Sequence, residues 1–442
     1  MRYILTLVTT FFVVTLNAQI DNSLTNLGEG RETARMYMLP YSTADEALEA
    51  AGEIRKSKYV RPMEQWTMEQ SDEATLHKAQ FAYPFSWINR LVFVHVGAMG
   101  GAYDLYVNGE YVGSSANGFL PAEFNVTKYV REDMNSVTIS VPRQHWSQTL
   151  ECFDGKKEVA PIEVYAFSQP VIRVRDVVHS ARIDATGKMA NVDVSLVVKT
   201  ESLNEKRARI HYELVAADTV VVEYGYRDMS VGMRGEDTVK FMARVPVSAL
   251  WSEQSPTRLK LNFKTQVEGR YAEYYSLPTT FRELSYGQGQ ISINGKGVEL
   301  RFGDVDPTTA TAATLQELKR HGYNAVRVGE GVVPRSFYRL CESEGVYVVV
   351  CVPINSSASG ESRKVGGNPT NDPAWREAYL DRAVATYRST CDFGCVVGYE
   401  LAAESANGIN LYESYMLLKS LETKRPISYS DGGDEWNNDA VK

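Results

Sequence analysis

The chain has 442 residues and a formal net charge of −8, with 23% charged and 44% hydrophobic residues. That length holds two to three domains at ~100–200 residues each, and the balance is that of soluble globular protein. No basic surplus exists to engage a phosphate backbone, so nucleic acid is excluded as an expected partner.

Arg2 supplies a positive start, residues 3–16 an apolar run, and Ala18 a small residue before a cut. The run is shorter than the ~20 residues a spanning helix needs, so residues 1–18 are predicted to be a cleaved signal peptide. No other stretch is long and apolar enough to span a membrane. The mature protein is expected in the periplasm or outside the cell. No Cys follows the cut, so no lipid anchor is expected there. Cys152, Cys341, Cys351, Cys391 and Cys395 are odd in number and make no complete disulfide framework. Cys391 and Cys395 are near enough in sequence to pair, or stand as thiols. No His lies close to a Cys pair, so neither a metal site nor a cofactor is expected. The 26 Tyr suit β-rich domains and sugar-facing surfaces.

Residues 20–60 are polar, and 45–54 are rich in the helix formers Ala and Glu. From Leu91 the pattern turns to strands. Residues 91–97 are β-branched and apolar, and 102–107 alternate. Asn108-Gly109 is a strong hairpin signal, and 110–113 return. Residues 122–127, 136–141 and 161–167 complete a β-sandwich. A second all-β block at 171–283 has expected strands at 191–198, 208–215, 220–224, 237–243 and 258–267, which suits an immunoglobulin-like sandwich. Arg173, Arg175 and Asp176 read there as a solvated face.

After residue 287 strands and helices alternate. Strands are expected at 299–302, 325–328, 346–352 and 426–430, with helices at 311–321, 335–344, 373–388 and 411–421. Such alternation implies parallel strands with right-handed crossovers. Between them, as the fourth of five strands in chain order, one begins at Cys395 and is expected to run to Glu404. A carboxylate at the C-terminal end of a parallel strand is where an α/β barrel places its chemistry. A helix cap or a merely solvated carboxylate is the alternative reading.

Six stretches in this order carry a resemblance: residues 93–113, Leu120-Pro121-Ala122-Glu123-Phe124-Asn125, Leu250-Trp251-Ser252 with Pro256, Ser292-Ile293-Asn294-Gly295-Lys296, His321-Gly322-Tyr323-Asn324-Ala325-Val326-Arg327 with 337–341, and Asn371-Asp372-Pro373-Ala374-Trp375. Together they resemble glycoside hydrolase family 2, of the β-galactosidase and β-glucuronidase type. The implied fold is multidomain, β plus α/β. It comprises a jelly-roll-like sugar-binding sandwich at 19–168, an immunoglobulin-like sandwich at 169–284 and an incomplete TIM-type (β/α) barrel at 285–442.

In this family one carboxyl is the acid/base and a second, ~5–5.5 Å away, is the nucleophile. The resemblance puts Glu404 on the acid/base position. Ala403 stands where the family has a sugar-binding Asn. The segments 302–306, 328–331 and 353–356 lack the family's His residues. Residues 150–156 replace the sandwich loop that reaches its active site. Nothing matches the nucleophile motif, and that strand is expected beyond residue 442.

The favoured reading is a secreted family 2-like protein that is not catalytic alone and binds a glycan or a protein. Its open barrel edge would be covered by a protein partner or a second copy. The alternatives are a weak retaining β-glycosidase, with Glu404 as acid and Asp431, Asp434 or Glu435 improvising the second role, and a truncated gene product. No substrate-binding residue is assigned.

Overall fold

The computed structural model describes residues 24–153, 160–216, 219–364, 366–432 and 438–439. The expected signal peptide, and Asp154 to Lys156 of the sandwich loop, lie outside them.

The first domain is a sandwich of a four-stranded and a five-stranded sheet. One runs Val60–Pro62, Tyr165–Gln169, Leu91–Val96, Ala122–Asn125. The other runs Thr67–Gln70, Ala74–Ala82, Met134–Pro142, Tyr103–Val107, Glu110–Ser115. Period-2 alternation sends Leu105, Val107, Val137 and Ile139, all 0% exposed, into the space between the sheets. Asn108 and Gly109 form the expected tight turn with φ of 54° and 82°, which these two residues tolerate best. The Asn108 side chain also donates to Tyr129 O and Asn135 Oδ1.

The second domain packs three strands (Ile172–Ile183, Met189–Thr200, Glu236–Pro246) on four (Val220–Val231, Lys206–Ala216, Leu259–Val267, Arg270–Thr279). The seven-strand count fits an immunoglobulin-like sandwich. Here the reading of Arg173 and Asp176 as solvated is corrected: they are 2% and 4% exposed. The chain before the first sandwich covers Asp176. It bridges to Phe124 at Arg31 and to Tyr274 at Tyr41, and so ties both β domains together. Met36 N donates to Asp176 at 2.9 Å, while Arg173 pairs with Glu201 and lies over the Phe93 ring. Burial without these partners would cost several kcal/mol, roughly, per charge.

Three short antiparallel strands (Leu284–Gly287, Gln290–Ile293, Lys296–Val298) lead into the α/β portion. There Ala325–Val328, Tyr347–Cys351, Val396–Glu400 and Ile427–Ser428 pair in parallel and in sequence order. The helices Ala312–Arg320, Arg335–Glu344, Arg376–Thr390 and Ile409–Leu421 alternate with them. The expected strand at 299–302 is reduced to one parallel bridge between Phe302 and Ala325, because the Asn324 side chain takes over Arg301 N and Glu299 O.

The fourth expected strand does not reach Glu404 either. It ends at Glu400, whose carboxylate binds Ser430 just past the last strand. Trp251, 0% exposed, locks the second domain to this portion by donating its indole N–H to Glu342 O at 2.9 Å.

Candidate active site

The C-terminal ends of the parallel strands gather the candidate residues. Past Glu400 the chain stays extended: Leu401 N donates to Ser428 O at 2.9 Å and Ala403 N to Ile354 O at 2.8 Å. These bonds carry three buried residues, Leu401 to Ala403, over the rim of the sheet. Glu404 follows them, exposed.

Its neighbour Ser405 is held on both sides. Ser356 N donates to Ser405 Oγ at 3.0 Å, and the Tyr429 hydroxyl donates to Ser405 O. Ser356 Oγ lies 2.9 Å from Asn368 Oδ1, and Asn368 donates back to Ser356 O and Gly360 O. Ser356 and Asn368 are both 0% exposed. The backbone that carries Glu404 is thus fixed by a buried polar network, which rigidifies when fully satisfied. The carboxylate itself makes no hydrogen bond or ion pair with any described residue.

Glu400 behaves oppositely. Its side chain is 3% exposed, and Arg327 Nε stands 2.7 Å from Oε2 as an ion pair without hydrogen-bond alignment. Oε1 accepts Ser430 N at 3.1 Å and the Ser430 hydroxyl. Arg327 faces Val349, and Val349 faces Gly398, two residues before Glu400. The period-2 rule therefore puts Arg327 and Glu400 on one face of the sheet. Neither was singled out from sequence. The available signal was a carboxylate inside an apolar run, which must find a partner once buried.

The sandwich loop also reaches this end. Asn355 N donates to Leu150 O at 2.7 Å, and Cys152 N to Asn355 O at 3.0 Å. Beneath that bridge Glu151 pairs with Arg382 at 2.7 Å, with side chains 0% and 2% exposed. Arg382 further donates to Pro353 O and Ala116 O. Asn355 itself is occupied, since its Oδ1 accepts Ser357 N and Oγ.

The carboxylates that follow Glu404 are engaged wherever they are described. Glu413 pairs with Arg376 and Glu422 with Arg425. Asp439 accepts from Tyr415, Lys419 and Ile427 N. Asp434 and Glu435 lie outside the described residues, and of Asp431 only the backbone is described. Among the described residues no three His, Cys, Asp or Glu side chains cluster as a metal site, and all five Cys are free thiols.

Two family profiles match the chain. "Glycosyl hydrolases family 2, sugar binding domain" covers residues 43–169, and "Glycosyl hydrolases family 2, TIM barrel domain" covers 293–441. A β-galactosidase of Yersinia pestis bv. Antiqua (strain Angola) is 27% identical over 387 residues, which is 81% of this chain and 36% of that protein. One from Yersinia pseudotuberculosis serotype O:1b (strain IP 31758) is also 27% identical, over 81% and 35%. The chain thus spans about a third of the length of the curated relatives it matches. Among solved structures, a β-D-glucuronidase from Dictyoglomus thermophilum superposes with a TM-score of 0.68 at 16% identity, covering 85% of this chain and 73% of that one. A Bacteroides uniformis β-glucuronidase gives 0.65 at 14%, over 81% and 46%. At such identities these structures show the fold.

Proposed function

Because the chain belongs to glycoside hydrolase family 2 and is β-galactosidase- and β-glucuronidase-like, we propose that Glu404 is its glycan-contacting carboxylate and that these 442 residues bind a β-linked glycan without hydrolysing it by themselves. The observation that carries this is the contrast at the sheet rim. Glu404 is exposed and unengaged on a backbone held by Ser356 and Tyr429, whereas Glu400, Glu413, Glu422 and Asp439 are all committed to cations or backbone amides. A retaining hydrolase needs a second free carboxyl ~5–5.5 Å from the first. The names of the relatives support a galactoside or glucuronide as the sugar.

The test is hydrolysis of nitrophenyl β-galactoside and nitrophenyl β-glucuronide, run beside binding of both compounds by titration calorimetry. The reading expects binding that Glu404→Gln weakens, with no turnover above buffer. Turnover by the wild-type chain that disappears in Glu404→Gln would replace it with a weak retaining glycosidase.

The same reading places the protein outside the cytoplasm, on the strength of Arg2, the apolar residues 3–16 and Ala18. A mature N-terminus at or near residue 19 after expression in a bacterial host supports that, and retention of Met1 overturns it. It also has a protein partner or a second copy packed beside the last strand, outside residues 438–439, which already take Ile427 N, Ile427 O and Tyr429 N. Light scattering reads the second-copy case directly.

A further inference from the structure

Between the first sandwich and the parallel portion lies a cavity of about 330 Å³. Three parts of the chain wall it. Residues 28–37 form one side, the sandwich supplies Ala98, Phe119 and Ile162, and the parallel portion supplies Val333 and Phe393. That volume is within the range of small-molecule sites. The wall includes Thr33, which is exposed, so the cavity reaches the surface. Neither Glu404 nor Ser356 and Tyr429, which anchor its backbone, line it.

Two charges of opposite sign stand in this wall without an ion-pair partner. Arg335, at the start of the Arg335–Glu344 helix, pairs with no described carboxylate. Its Nε has no hydrogen-bond partner among the described residues, and Nη1 reaches only Gly52 O, at 3.4 Å. The guanidinium lies 3.6 Å from the centre of the Tyr37 ring, which holds it in place. Glu163 pairs with no described cation, and Arg335 and His95 act on it only at longer range. Its backbone is left-handed, with φ of 51°, a conformation that costs a residue carrying a Cβ. Burial raises the Glu163 carboxyl, and burial with Arg339 beside it lowers the Arg335 guanidinium. The other charges of the wall are matched: Arg31 with Asp381, Glu32 with Lys199, and Arg35 with Glu123, which also holds His95.

We propose that this interdomain cavity binds a small zwitterion, an α-amino acid with an apolar side chain, whose carboxylate meets Arg335 and whose ammonium meets Glu163. Charge selects the class. An anion leaves Glu163 unmatched, a cation leaves Arg335 unmatched, and a neutral ligand leaves both. The carbon-lined remainder of the wall, from Phe119 and Ile162 to Val333 and Phe393, is the bed for the side chain. Neither this ligand nor these residues belong to the glycan reading above, so the two fail separately.

The experiment titrates the full chain with phenylalanine and leucine, using calorimetry and ligand-detected NMR. Each runs beside the analogue that lacks its ammonium (phenylpropanoate, isocaproate) and the one that lacks its carboxylate (phenethylamine, isoamylamine). At least one amino acid should bind, and both of its analogues should bind about tenfold more weakly or worse, the value of one hydrogen bond to a charged group. Glu163→Gln should weaken the amino acid about tenfold without weakening the analogue that lacks the ammonium. Arg335→Met should do the same with respect to the analogue that lacks the carboxylate, and either variant serves if the other does not fold. Absence of amino-acid binding below about 10 mM, equal binding of either analogue, or unchanged amino-acid binding in a folded Glu163→Gln or Arg335→Met would each overturn the site.

Discussion

Two places at the same end of the parallel sheet treat charge in opposite ways. Under the rim of the parallel sheet, Glu151 of the sandwich loop meets Arg382 of the Arg376–Thr390 helix, both almost wholly buried, and Arg382 spends its other N–H groups on Pro353 O and Ala116 O. On the rim, Glu404 has an anchored backbone and an unengaged carboxylate. The difference separates charge that builds this protein from charge that is available to act. A buried ion survives only when every partner is present, because desolvation costs several kcal/mol, roughly, per ion. An exposed carboxylate on a rigid loop costs the fold little and remains free to bind.

The largest effect should come from breaking the buried pair. Arg382→Met removes the cation that Glu151 pairs with between two domains and should cost about 3–5 kcal/mol of stability, read as a lower denaturant midpoint. The double variant Arg382→Met with Glu151→Leu should recover most of that loss. If the single and double variants unfold alike, the pair is not what docks the sandwich on the sheet.

A smaller effect belongs to His179, at the junction of the second domain with the parallel portion. Burial, and after it the positive charges of Arg282, Arg425 and Arg339, push its imidazole down to about 3. Its ring packs edge-on against Phe281, and Nε2 has no hydrogen-bond partner among the described residues. The unfolded chain therefore binds a proton here that the folded one refuses. The stability His179 contributes is intact above its unfolded value near 6.5 and is lost as pH falls toward 3, with a slope up to about 1.4 kcal/mol per pH unit. Replacing it by Gln should flatten that acid limb in melting curves taken from pH 7 to pH 4. An unchanged limb means that other groups carry it.

Asp104 has the opposite sign. A carboxyl raised to about 6 contributes stability below its unfolded value near 3.9, and that contribution is lost as pH rises through 6. Asp104→Asn should therefore melt higher than wild type at pH 8 and at nearly the same temperature at pH 3. An equal gap at the two pH values would mean that the fold does not hold this carboxyl up.

Legibility followed the same division. Residues 108–109 and 335–344 were readable because local chemistry decides them: a left-handed turn that Asn and Gly accept, and an amphipathic helix closed by Gly345 at φ 64°. Arg173 and Asp176 were not, because Asp176 is held by a segment some 140 residues earlier in the chain and Arg173 lies between Glu201 and the Phe93 ring of the first sandwich, and no local pattern records either. Glu404 was reachable through its resemblance, although the apolar run before it reads as strand to the end. The sheet in fact stops at Glu400, and Ala402 and Ala403 are buried by the loops that frame the site. Glu400 and Arg327 stayed hidden because their pairing depends on register between strands far apart in sequence.

The smallest stability effect is the sharpest test of the contrast. Glu404→Gln removes a charge that no described group compensates, from a backbone whose hydrogen bonds come from Ser405 and Ala403 rather than from residue 404 itself. Its stability should stay within about 0.5 kcal/mol of wild type, measured side by side in the same denaturant titration, while binding of nitrophenyl β-galactoside or nitrophenyl β-glucuronide weakens. Loss of several kcal/mol would place Glu404 with Glu151 among the charges that build the fold, and would leave the rim without a free carboxylate.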